Sequence, residues 1–240
     1  MIYNENLYWR RIKNLYKAWQ TAEDPDFKRL WMDKLQALMQ KVDKATFIWY
    51  NTNMNIFYLY KDPKISAEMH LDKHCVKMLI EYAQLMSTAH RVLDGIEYIG
   101  KSKTGRKVTR YKLKNPNEDA TVYKACHIHH PSAVWVRDNA YNYHWLYQMW
   151  HYLHEEFKLR YGKEHRSYTL LKDLLRNPPR NIPLTVPFYQ PTQAMPDDVK
   201  HEDSITAYRN YYIKYKKDFA TWKTSIPEWY SEGVNAWENL

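Results

Sequence analysis

The sequence predicts a mainly α-helical protein with a small β element. Three observations support this. Apolar residues recur at helical spacing through long stretches. Glycine is scarce, at five of 240 residues. The β-forming residues gather in two short regions, 54–61 and 96–114.

In chain order, residues 5–22 and 26–46 predict two amphipathic helices separated by the Asp24-Pro25-Asp26 turn. This pair reads as an element added to a main helical domain over 54–240. Met54 to Lys61 predicts a short strand, ended by Asp62-Pro63. A long helix is expected from about Ser66 to Val92, stopped by Asp94-Gly95. Residues 96–114 predict a β-hairpin turning at Lys103-Thr104-Gly105-Arg106. A second long helix is expected from Pro131, a residue suited to the first helical position, to about Tyr161, with Gly162 as its cap. A shorter helix covers 167–176. Six prolines mark 178–197 as a long loop, and a last helix spans about 203–222.

Composition narrows the function classes. The chain carries 36 Lys and Arg against 27 Asp and Glu, a formal net charge of +9. A basic balance favours nucleic acid, nucleotides or acidic lipid as partners. Tyr and Trp, 22 and 10 in number, suit wet clefts and interfaces. The low glycine count argues against phosphate loops and dinucleotide turns. Neither Cys75 nor Cys126 belongs to a C-x-x-C pair, which points to a reducing compartment. No signal-peptide core and no 18-residue apolar run is present, so a cytoplasmic protein with no membrane partner is expected.

The 66–92 helix holds the candidate catalytic residues. His70, His74, Lys77, Glu81, Gln84 and Thr88 follow a 4-3-4-3-4 spacing and line up as a polar stripe. Glu68, Asp72 and His90 project into the apolar arc, where a carboxylate needs a partner. Asp72 is therefore expected to be a buried acid or base, with His74, Lys77, Glu81 and His90 around it and a cation from 130–137 or 203–217 beside it. The competing reading is a solvent-facing stripe with structural salt bridges. His70 and His74, four apart, could share a metal with Cys126, His127, His129 or His130. No H-E-x-x-H or standard Cys/His spacing appears, so no metal ligand is assigned and the cofactor is left open.

Substrate contacts are expected from His130, Ser132 and Arg137 at the start of the second long helix, where free N–H groups favour an anion. Arg209 and Tyr212 lie in the stretch Ala207–Lys217, which interleaves rings with cations as nucleic-acid binders do. Between 101 and 114 stand seven Lys or Arg and no acid. The leading expectation is an enzyme acting on nucleic acid or a nucleotide, such as base modification or base excision. The alternatives are a non-catalytic nucleic-acid-binding module and a structural or assembly protein.

Several strings occur together: Met54-Asn55-Ile56-Phe57-Tyr58-Leu59; Asp72-Lys73-His74 with Lys77-Met78 and Glu81; Ser87-Thr88-Ala89-His90-Arg91; His130-Pro131-Ser132-Ala133 with Trp135 and Arg137; Gln193-Ala194-Met195-Pro196; Ala207 to Tyr212; and Pro227 with Trp229. In these the chain resembles a family of uncharacterised proteins encoded by tailed phages and other large DNA viruses. The resemblance covers about three quarters of the chain and starts near Met54, so residues 1–53 depart from it. It implies a viral gene product acting in a host cytoplasm and brings no named activity or catalytic residue.

Overall fold

A computed structural model describes residues 54–102, 104–184 and 186–238. The chain divides into two compact units, Met1–Asn53 and Met54–Leu240. The helical pair expected at 5–22 and 26–46 lies outside the described residues, as does Lys103 of the hairpin turn.

The second unit is mainly α-helical, with one two-stranded sheet among the described residues. Its helices are α1 (Pro63–Glu68), α2 (Asp72–Asp94), α3 (Pro116–Thr121), α4 (Pro131–Asp138), α5 (Ala140–Tyr161), α6 (Arg166–Leu175), α7 (Ser204–Tyr215) and α8 (Glu228–Glu238). Strands β1 (Ile96–Lys101) and β2 (Lys107–Lys112) pair antiparallel between α2 and α3. The central element is α2, which packs against α4, α5 and α6.

Residues 54–59 form no strand, contrary to expectation. They lie in the core and are all buried, which explains their β-forming composition. Side chains do the work of a neighbouring strand. The Phe57 N–H donates to the Tyr82 hydroxyl at 3.1 Å, the Leu59 N–H to Ser66 Oγ at 3.1 Å, and Arg209 Nε to the Leu59 carbonyl at 3.1 Å.

Two expected long helices are each broken. The first splits into α1 and α2 at Met69–Leu71, where Arg160 takes up freed carbonyls: its Nη2 donates to Glu68 O at 2.9 Å and its Nη1 to His70 O at 2.7 Å. The second breaks at Asn139, whose extended backbone and side chain cap α5 by accepting from the Asn142 N–H at 2.9 Å. Asparagine is a favoured N-cap, so this break was visible in the residue type and masked by continuous helical periodicity. Gly162 ends α5 in the left-handed region at φ 64°, as its position predicted. The helix expected over 203–222 stops at Tyr215, and α3 and α8 were not anticipated.

The hairpin has the expected place and pairing, with Ile96 opposite Lys112 and Lys101 opposite Lys107. Its base is clamped to α2 by Arg91. That guanidinium donates to the carbonyls of Tyr111, Asp119, Val122 and Tyr123 and to Asp119 Oδ1, at 2.6–2.8 Å. No helix among the described residues is long and apolar enough to cross a membrane.

Candidate functional site

The polar stripe on α2 turns largely inward. His70, His74, Glu81 and Thr88 are buried, while Lys77 stays exposed; the solvent side of the helix is Lys73, Val76, Lys77 and Ile80. The reversal has a packing cause. The Ser66 carbonyl and Tyr82 hydroxyl satisfy His70, the Tyr212 hydroxyl of α7 satisfies His74, and the Cys126 carbonyl satisfies Thr88, so these members of the stripe can be covered. Glu68, expected in the apolar arc, is exposed at the end of α1.

His70 Nδ1 donates to the Ser66 carbonyl at 2.8 Å and its Nε2 accepts from the Tyr82 hydroxyl at 2.9 Å. Burial brings its pKa down to about 3, so the imidazole is neutral. His74 stacks on Phe57, centroids 4.2 Å apart, and its Nδ1 shares a 2.7 Å hydrogen bond with the Tyr212 hydroxyl. Burial, with His70, Lys216 and Lys77 nearby, holds it well below its ordinary value. The two histidines thus turn to different tyrosines. Among the described residues no three metal-type ligands converge.

Asp72 and Arg160 form a buried pair at 3.1 Å. The cation comes from α5, not from 130–137 or 203–217. Arg160 Nε also donates to Glu156 at 2.7 Å, and Asp72 Oδ1 accepts the Lys223 N–H at 3.0 Å. Every group in this cluster has a partner, so it ties the α1–α2 break, α5 and the 223–224 segment together.

A different cluster lies around Lys77. Its Nζ pairs with Glu81 Oε1 at 3.0 Å, while the other oxygen, Oε2, is buried with no hydrogen-bond partner. Burial raises the Glu81 pKa against the pull of Lys77. Lys77 also bears electrostatically on His74 and on Lys216, just beyond α7. Lys216 is 5% exposed. Its Nζ lies 4.5 Å from the Tyr211 ring centroid and 5.9 Å from that of Phe219. No carboxylate among the described residues pairs with it. Burial, then Lys77, brings its pKa down to about 8. Three groups of this cluster, Glu81, His74 and Lys216, are therefore pushed toward their neutral forms, the condition for proton transfer or nucleophilic attack near neutral pH. Lys216 was missed in the sequence because nothing in its spacing separates it from exposed Lys217.

The remaining predicted residues disperse. His90 Nε2 bonds the Tyr143 hydroxyl at 2.9 Å, and burial lowers its pKa to about 4. His130 caps α4, its Nδ1 accepting from the Ser132 N–H at 3.2 Å. Ser132 Oγ and Arg137 Nη1 are buried without partners. Arg209 is committed to the Leu59 carbonyl and lies over Trp229, 5.0 Å from the ring centroid. Tyr212 is fully buried against Phe57, His74 and Trp229, so its ring has no open face for a base. Asp72, His74 and Arg209 thus have separate partners and share none. Comparison of the chain with protein-family models, with curated proteins and with solved structures gives no match.

Proposed function

We propose that the chain is an enzyme of viral origin acting on nucleic acid or a nucleotide, by base modification or base excision, with its chemistry centred on Lys216, Lys77, Glu81 and His74. The observation that carries this reading is Lys216: a buried amine with no counter-carboxylate among the described residues, beside a second lysine. Burying a cation unpaired is costly. A phosphate repays that cost when it binds, and an amine titrating near 8 is free in about a tenth of molecules at pH 7. Base excision needs a nucleophile for the anomeric carbon and a proton for the departing base. Lys216 Nζ suits the first and Glu81, with its raised pKa, the second. The resemblance to phage and large-DNA-virus proteins and the net charge of +9 agree with a nucleic-acid substrate.

Borohydride trapping tests this. Lys216 Nζ condenses with the C1′ aldehyde of an abasic site, releasing water and forming an imine. Cyanoborohydride then delivers hydride to the imine carbon and leaves a stable secondary amine. DNA duplexes carrying an abasic site or a damaged base should cross-link to the native protein and not to Lys216→Met. The absence of both a cross-link and any turnover of damaged DNA or nucleotides would sink the proposal. A second reading, a non-catalytic nucleic-acid-binding module, is favoured by the exposed basic hairpin; tight binding without cross-link or turnover would select it.

A further inference from the structure

No residue of the β1–β2 ribbon is buried. Both faces of β1 meet solvent, leaving Ile96 60%, Tyr98 49% and Ile99 65% exposed. An isolated two-stranded hairpin is marginal in water, and apolar side chains of this size are rarely displayed on one. Here Arg91 holds the base rigidly, so the arm persists without covering its side chains. Lys101, Arg106, Lys107, Arg110, Lys112 and Lys114 decorate it, and none is in an ion pair with another described residue.

Between the ribbon and residues 119–125, from Tyr111 near its base to Lys101 beside its turn, lies a cavity of about 250 Å³. Arg91 and Asp119 in its wall neutralise each other. Lys101, Arg110 and Lys124 remain, three cations with no carboxylate partner among the described residues, beside the rings of Tyr98 and Tyr111. Gly100 lets this wall close: a Cβ there would come within 3.0 Å of Arg110 Cγ and 3.3 Å of Tyr98 Cε2.

We infer that the ribbon is an arm that binds double-stranded DNA, with a backbone phosphate seated among Lys101, Arg110 and Lys124. The inference rests on the nucleic-acid reading above and names its substrate as a duplex. A six-residue ribbon is about 20 Å long, and the B-form major groove, about 12 Å wide, admits two strands. The deep, narrow major groove of an RNA duplex does not. Charge complementarity selects a polyanion over a protein strand: a run of cations along the ribbon would repel a second copy of itself. The exposed Ile96, Ile99 and Tyr98 then meet thymine methyls and sugar edges.

The test is anisotropy with a 20-base-pair DNA duplex, the matching single strand and an RNA duplex, each across a salt series. The proteins are the full native chain, the triple variant Lys101→Ala/Arg110→Ala/Lys124→Ala, and Lys216→Met. Native protein should prefer the DNA duplex. The triple variant should bind it about ten-fold or more weakly, with a log–log salt slope shallower by roughly 2 to 3, as three phosphate contacts require. Lys216→Met removes at most the one phosphate contact proposed for that amine, so its slope should be shallower by no more than about 1, well short of the triple variant. Equal affinity and slope for the native and triple-variant proteins would overturn the arm assignment while leaving nucleic-acid binding in place. Preference for the single strand or for RNA would overturn the duplex assignment. Failure of the native protein to bind any of the three at low salt would overturn the nucleic-acid reading itself.

Discussion

Arg160 and Lys216 are both buried cations, and they differ in what surrounds them. Arg160 reaches two carboxylates and two carbonyls within 3.1 Å and sits where three segments meet. Lys216 finds two aromatic rings, a neighbouring lysine and, among the described residues, no acid. The first arrangement spends charge on holding the fold together. The second stabilises nothing by itself and makes sense when a ligand supplies the missing anion. Asp72, the leading catalytic candidate from sequence, belongs to the first kind of environment; His74, Lys77 and Glu81 belong with the second.

The contrast is broken most directly at Arg160. Arg160→Met strands Asp72 and Glu156, and removing one side of a buried pair costs about 3–5 kcal/mol. Urea denaturation measures it, and a loss under about 1 kcal/mol would show that the cluster is not scaffold. Asp72→Asn should cost less, because Glu156 still pairs with Arg160. A stability-neutral Asp72→Asn that abolished activity would return Asp72 to the catalytic set.

The next effect is acid sensitivity. His70 titrates near 3 in the folded protein and near 6.5 when unfolded. Only the unfolded chain takes up that proton between these values, so stability falls as pH drops below 6.5. His70 alone accounts for about 3 kcal/mol at pH 4. Stability measured at pH 7 and pH 4 should differ by about that much more in the native protein than in His70→Gln.

The smallest effect sharpens the other side. Lys216 titrates near 8 folded and 10.5 unfolded. The unfolded chain holds the extra proton in this window, so stability rises with pH from 8, by about 2 kcal/mol by pH 10. Lys216→Met should lose this rise while melting at neutral pH no lower than the native protein. A flat native profile from pH 8 to 10 would mean that the amine is not desolvated.

Residue types and their spacing determined the mainly helical class, the hairpin, the proline-rich loop and the Gly162 cap. These depend on local propensities and on one chain direction, which spacing reports. The tertiary structure decided the rest. Residues 54–59 look like a strand because burial on all sides demands the same side chains that a sheet does, yet their hydrogen-bond partners come from Ser66, Tyr82 and Arg209. His70 and His74 are polar by spacing and buried because tyrosines 12 and 138 residues away satisfy them. Arg160 finds Asp72 across 88 residues, and Lys216 is set apart from Lys217 only by which side of the chain faces the core. Periodicity places a side chain on its own element; whether a charge there is paired or left bare depends on what another element brings to it.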